Sequence, residues 1–394
     1  MEYQQKPLPG KVMTTGFILL AIGAIGIGLS FVVDSERAMF NYLIMYMFIL
    51  SISVGSLGLV GMEYLTGASW STPFRRISEF LSSVIPLLII LVVPLILGLH
   101  TLYEWSHKEA VANDPLLQSK EPYLNVTFFI VRVIATYLIW LLFYFVFIRN
   151  SRKQDTTKDP RLTKISVRFS APFAPLFMIT LTIAAIDFIM SLEPHWFSTM
   201  FGVYYFAGTV LSAFAALTLV SVMLKQNGYL SSKISNSHFY SMGVLMFAFT
   251  VFWAYIGFSQ FMLIWYADMP EETFWFMLRT HGTWKMVSYG LLVIHFIIPF
   301  LVLIPRSVKT NISRLKVMAI WLLFAHYYDL YWMIMPTYTH RMGSENAVFG
   351  WIEIVYPLAA VGLFMIMFSM QAKRNNLMPI GDPKLESGLN FHLY

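Results

Sequence analysis

Residues 80–102 read FLSSVIPLLIILVVPLILGLHTL, a stretch without an Asp, Glu, Lys or Arg. Wound as a helix at 1.5 Å per residue, such a run crosses the hydrocarbon core of a bilayer, about 30 Å thick. Comparable apolar runs recur on both sides of it, at about residues 13–33, 42–62, 126–148, 169–190, 200–224, 239–266, 284–304, 315–335 and 349–370. The chain therefore reads as an all-α integral membrane protein of ten transmembrane helices, a single polytopic domain over residues 1–394. The first run is too long for a signal peptide and lacks its small-residue cleavage site, so it is expected to stay as a helix.

Composition agrees with this reading. Hydrophobic residues make up 57% of the chain and charged residues 12%, against about 25% charged in a soluble domain. The formal charge of +6 is not gathered on one face, as binding to nucleic acid requires, so no nucleic-acid partner is expected. The chain has no Cys, which excludes a cysteine-ligated iron–sulfur cluster, covalently attached c-type haem and disulfides.

Positive charge alternates from loop to loop. The N-terminal tail with Lys6 and Lys11, the loops after helices 2, 4, 6 and 8, and the C-terminal tail hold every Lys and Arg except Arg37, Lys108, Lys120, Arg132, Arg279, Lys285 and Arg341. The opposite loops are acidic, with Glu104, Glu109, Asp114 and Glu121 after helix 3 and Asp268, Glu271 and Glu272 after helix 7. By the positive-inside rule both termini face the cytoplasm. Connections are short apart from roughly twenty residues after helix 3 and a similar basic stretch after helix 4, measured against the apolar runs. Pro86, Pro94, Pro172, Pro175 and Pro299 predict kinks.

A charge at the centre of a membrane helix costs roughly 2.5–3.5 kcal/mol even on the mildest scale, so each one needs a partner or a role. His326 and Asp329 share a face of helix 9, about 16–18 and 21–23 Å in from Arg314, and His295 lies about 16 Å into helix 8 from its other end. These three are the leading candidates for a proton path. Asp187, Glu353 and Glu63 are further candidates nearer the helix ends, and Arg132 and Lys285 are candidate clamps for Asp187 or Glu353. Glu79, at the start of helix 3, is also explained by the helix dipole. A b-type haem needs two facing histidines, and His100, His295 and His326 are the deep ones. A relay of His and carboxyl groups is the more natural use of them, and no metal or other cofactor is assigned to this chain.

Three blocks have an individual character: IDFIMSLEPHWFSTMFGVYYFAG (186–208), the stretch 238–276 ending in YADMPEETFWF, and LFAHYYDLYWMIMPTYTH (323–340). With them the chain resembles, over essentially its whole length, the smaller ActF-type member of the polysulfide-reductase-type (NrfD-like) membrane subunits of bacterial alternative complex III, a quinol:cytochrome c oxidoreductase. The resemblance implies two four-helix bundles, helices 2–5 (about residues 42–148 and 169–190) and 6–9 (about 200–335), with helices 1 and 10 peripheral. It carries over Asp187, Glu193 and His195 in the first block, Gln260 and Asp268 in the second, and His326 and Asp329 in the third. It also implies a subunit without a redox centre, in a bacterial inner membrane. Haem c and iron–sulfur clusters are then expected on partners: the iron–sulfur subunit, multihaem and monohaem cytochrome c subunits, and the larger NrfD-like subunit. Membrane lipids and a terminal oxidase are further expected partners, and quinol or quinone is the expected small molecule of the complex. A secondary transporter and a purely structural scaffold are the competing readings; matching broken helices in two repeats, which favour a transporter, are not evident.

The charge pattern generates a topology test. In this Cys-free chain, Lys153→Cys is expected to react with an impermeant thiol reagent only after the cells are opened, and Glu271→Cys in intact spheroplasts. Labelling of Lys153→Cys from outside would reverse the assigned orientation.

Overall fold

The structure, a computed structural model, describes residues 8–393; Lys6 lies outside the described residues. It is all-helical, with no strand among them. Ten helices are long and apolar enough to cross a membrane: α1 (Gly10–Val33), α2 (Ser35–Thr66), α3 (Thr72–Leu97), α4 (Val126–Thr157), α5 (Pro160–Leu192), α6 (Phe201–Gln226), α7 (Asn236–Ala267), α8 (Trp284–Leu303), α9 (Ile312–Arg341) and α10 (Trp351–Arg374). An even number of crossings puts both ends of the described chain on one face, here called the terminal face.

The helices outrun their apolar cores where polar caps hold them. The basic stretch expected as a long connection after helix 4 is instead helical: α4 runs to Thr157 and α5 starts at Pro160. Lys158 takes the left-handed conformation (φ 52°), Asp159 caps α5 by accepting from the Arg161 N–H at 2.9 Å, and Pro160 fills the first helical position, which needs no N–H. Apolar periodicity does not mark helix that continues beyond the hydrocarbon. The opposite loop after α3 folds into short helices at Lys108–Asn113 and Pro115–Lys120, and the loop after α7 holds the helix Pro270–Thr280.

Prolines act unequally. α3 breaks into pieces around Pro86 and Pro94, with a 3₁₀ turn at Ser82–Val84, whereas α5 passes through Pro172 and Pro175 unbroken. In α8, Pro299 has no N–H for the carbonyl of His295 four residues back, and the helix widens into a π segment at Leu292–Ile297. A wider turn swings the His295 side chain away from its α-helical direction.

α2 and α6 are buried along nearly their whole lengths and form the interior axis of the molecule. α2 touches α3, α4 and α5 on one side and α6 and α9 on another, while α6 touches α7 and α9. α1 lies along α10, and the pair packs on α2. Between lipid-exposed helices there is little hydrophobic drive, so close backbone approach does the work. At Gly23 an added Cβ would sit 2.7 Å from the backbone N and Cα of Ala359, whereas Gly28, on the outer face, has nothing within 4 Å.

The terminal face is stitched by charge. Arg75 donates to Glu63 at 3.0 Å and to Asp382 at 2.5 Å, and lies 3.6 Å from Glu79. Arg76 donates to Glu79 and to Asp155, each at 2.7 Å. The sequence places both arginines in a basic loop; in the structure they are buried in α3, which starts at Thr72, so Glu79 is inside the helix rather than in its first turn. The C-terminal tail supplies Asp382, and the Gly388 carbonyl accepts from His238 at 2.8 Å.

Gly23→Leu is expected to lower the stability of the detergent-solubilised protein by about 1–3 kcal/mol through overpacking against α10. Gly28→Leu is the control and is expected to stay within about 0.5 kcal/mol. Thermal unfolding followed by circular dichroism checks both.

Candidate functional site

The third sequence block folds so that His326 and Asp329, three residues apart on α9, are buried against α6, with Asp329 also reaching α7. The π segment of α8 brings His295 to meet them. One ligand-type atom from each of His295, His326 and Asp329 lies within 4.8 Å of the others, and all three residues are 1% exposed or less. Depth alone made them candidates; their convergence is the new fact.

Two more helices complete the site. Tyr204 of α6 donates its hydroxyl to Asp329 Oδ1 at 2.6 Å, and Trp253 of α7 donates Nε1–H to Oδ2 at 3.0 Å. Trp253 also stacks on the His295 ring, with centroids 3.7 Å apart and planes 24° apart. Phe48 of α2 packs near His326 at 6.0 Å. Gly208 of α6 leaves room for the His326 ring, since a Cβ there would stand 3.0 Å from Cε1 and Nδ1. The Asp329 carboxylate is thus oriented by two neutral donors, and no guanidinium or ammonium touches it among the described residues. Neither nitrogen of either histidine has a hydrogen-bond partner within the protein.

Sequence reasoning did not single out Tyr204, Trp253 or Gly208. Each lies inside one of the distinctive blocks, but nothing in its local spacing announces a polar contact made across three helices.

The other sequence candidates lie elsewhere. Asp187 is held by Arg132, with Nε–Oδ2 and Nη2–Oδ1 both 2.9 Å, and accepts from the Tyr123 hydroxyl at 3.2 Å. The Arg132 guanidinium also sits 3.8 Å from the Tyr123 ring centroid. Glu353 is gripped by Arg37 of α2, through Nε–Oε1 at 2.8 Å and Nη2–Oε2 at 2.6 Å, with Asn41 adding a third donor at 3.1 Å. Lys285 clamps neither acid; its ammonium lies 6.0 Å from the Tyr289 ring. Glu63 belongs to the Arg75 cluster on the terminal face.

In the opposite loops, His195 Nε2 meets Asp114 Oδ2 at 2.5 Å, and that contact holds the Asp114 carboxyl below its ordinary range. Glu193 is buried with Oε1 unpartnered, Gln260 is buried with Nε2 unpartnered, and Asp268 ends α7 at φ 49°. His100 bonds Ser106 and faces His107 rather than joining the buried trio.

The site as a whole is a buried, titratable cluster able to hold a proton, ordered water or a cation. The Arg132–Asp187 pair is of the opposite kind, with each oxygen already met by a donor. Asp187→Ala leaves a buried guanidinium unpaired and is expected to cost about 3–5 kcal/mol of stability, whereas the apolar double replacement Arg132→Met with Asp187→Leu is expected to recover most of that loss. Thermal unfolding of the three variants measures the difference; equal loss in the double variant would show that the pair is needed as a pair.

No family model matches this chain, and comparison with curated proteins found no match.

Proposed function

We propose that this chain is a membrane subunit of a quinol-oxidising, electron-acceptor-reducing complex of the alternative complex III type, conducting protons while carrying no redox centre of its own. The resemblance of the three sequence blocks supports the complex. The observation that supports the proton role is the buried cluster of His295, His326 and Asp329, oriented by Tyr204 and Trp253. Titratable groups in the interior of a membrane bundle are the usual carriers of protons, and a carboxylate left unneutralised there calls for a role.

In this reading Asp329 holds the proton, Tyr204 and Trp253 fix its carboxyl plane, and water bridging the cluster carries the proton between it and the imidazoles of His326 and His295. Glu63, within the charged cluster of the terminal face, is the entry candidate on the cytoplasmic side, in a bacterial inner membrane with both termini inside. Electron transfer belongs to partner subunits with haem c and iron–sulfur clusters, which dock on the opposite, acidic loops. Those loops also offer the Asp114–His195 clasp as a fixed surface.

Two measurements test this. Affinity purification of the tagged chain in mild detergent is expected to bring down a haem-containing assembly; a chain that runs alone favours an independent transporter. In liposomes, Asp329→Asn is expected to assemble and to release fewer protons per electron transferred. An unchanged ratio in a fully assembled complex would falsify the relay.

A further inference from the structure

We infer that His295, His326 and Asp329 form a binding site for a divalent first-row transition-metal ion, buried in the middle of the helix bundle. This does not rest on the proton reading: an ion bound there takes the place of the proton on Asp329.

The first argument is unsatisfied valence. Two imidazoles enclosed in apolar surroundings have four ring nitrogens and no protein partner for any of them. Buried polar atoms are nearly always paired, and those that are not mark a missing ion, a water or a catalytic role. An ion placed among the three side chains satisfies one nitrogen of each ring at once.

The second argument is geometry. The three donor atoms lie within 4.8 Å of one another. With metal–nitrogen and metal–oxygen bonds of about 2.0–2.2 Å, tetrahedral donors stand roughly 3.3–3.5 Å apart. Turning the two rings towards the carboxylate by about 1 Å reaches that spacing, and the missing side chain at Gly208 is what lets the His326 ring lie this close to α6. The donors come from two helices, and Trp253 of α7 contacts a donor on each. On α9, Asp329 is fixed by Tyr204 and Trp253; on α8, the π segment presents His295 against the Trp253 face. Hydrogen bonds to a ligating carboxylate are the outer support that such sites need.

The third argument is donor chemistry. Two imidazoles and one carboxylate suit zinc, iron, nickel or copper, whereas calcium and magnesium demand oxygen donors. Three protein donors leave one position for a solvent molecule. A divalent ion beside one carboxylate carries a residual charge of +1 that is costly among apolar helices; hydroxide in the fourth position cancels it, and metal ions of this class make bound water acidic enough to supply hydroxide near neutral pH.

The test uses the full chain in the complex with which it purifies, washed with chelator so that only an ion shielded by the bundle remains. Mass-spectrometric metal analysis is expected to find about one equivalent of a single transition metal per chain. His326→Ala and Asp329→Asn are expected to lose it, and Tyr204→Phe, which removes an outer hydrogen bond, to weaken retention by about 10- to 100-fold. Cells grown on cobalt are expected to yield protein with the visible bands of tetrahedral Co²⁺, absent from Asp329→Asn.

Less than about a tenth of an equivalent in the folded wild-type chain overturns the inference. So does equal metal content in the wild type and in folded His326→Ala. Where a variant fails to fold, X-ray absorption on the wild type decides: imidazole scattering around the ion supports the site, and a shell of water alone overturns it. Loss of the metal reading leaves the proton reading to its own measurement, since the proton-to-electron ratio does not depend on metal content being found.

Discussion

A carboxylate carried into hydrocarbon has to be met there by donors from its own fold, because the bilayer supplies no water to solvate it. This chain meets that demand in two ways. Asp187, Glu353, Glu63 and Glu79 are each answered by arginine, at 2.6–3.0 Å for the shortest contacts. Asp329 is answered by a phenol and an indole, both neutral. Guanidinium stays protonated under any condition a protein meets, so an acid paired with it always has a cation beside it. Among the described acids buried within the ten long helices, Asp329 has no cation in contact with it, which is why chemistry is sought there first.

The same contrast explains what could be read without coordinates. Ten apolar runs suffice to find ten helices, since no other structure hides its backbone in lipid so economically in sequence. Helix ends were less legible: α4 and α5 continue through a polar stretch whose helicity depends on the Asp159 cap. Ion pairing was least legible. Lys285 and Arg132 look alike as clamps in sequence, yet Glu353 takes Arg37, more than three hundred positions away, because α10 lies against α2. Arg75 and Arg76 read as loop charges until the C-terminal tail and α4 close over them.

At the candidate site, spacing predicts that His326 and Asp329 share a face, and helix rise predicts that His295 lies at similar depth. Their meeting depends on α8 and α9 being neighbours and on the π segment that Pro299 provokes. Pro299 was visible as a kink, but the direction in which a kink turns a side chain is a property of the packed bundle. Tyr204 and Trp253 were invisible for the same reason: in a chain so rich in aromatic residues, only contact distinguishes a donor to a buried acid from interfacial stock.

The distribution of ion pairs also bears on the choice between a rigid subunit and a transporter. Alternating access asks one group of helices to rock against another. Here α2 is tied to α10 by Arg37–Glu353 and to α3 by Glu63–Arg75, while α3 is tied to α4 by Arg76–Asp155 and α4 to α5 by Arg132–Asp187. Across the two halves, the Tyr205 hydroxyl joins α6 to α2 through Ser51 at 2.9 Å and the Met47 carbonyl at 3.1 Å, and Arg341 of α9 reaches the carbonyls of Thr101 and Leu192. These ion pairs join α2, α3, α4, α5 and α10 to one another, and breaking one costs about 3–5 kcal/mol, so those helices are held as one unit, while α6 and α9 meet them through hydrogen bonds and packing. Movement within that unit is opposed by its ion pairs, and any movement of the other helices against it has to run along the hydrogen-bonded contacts of α2 with α6 and of α9 with the chain at the ends of α3 and α5.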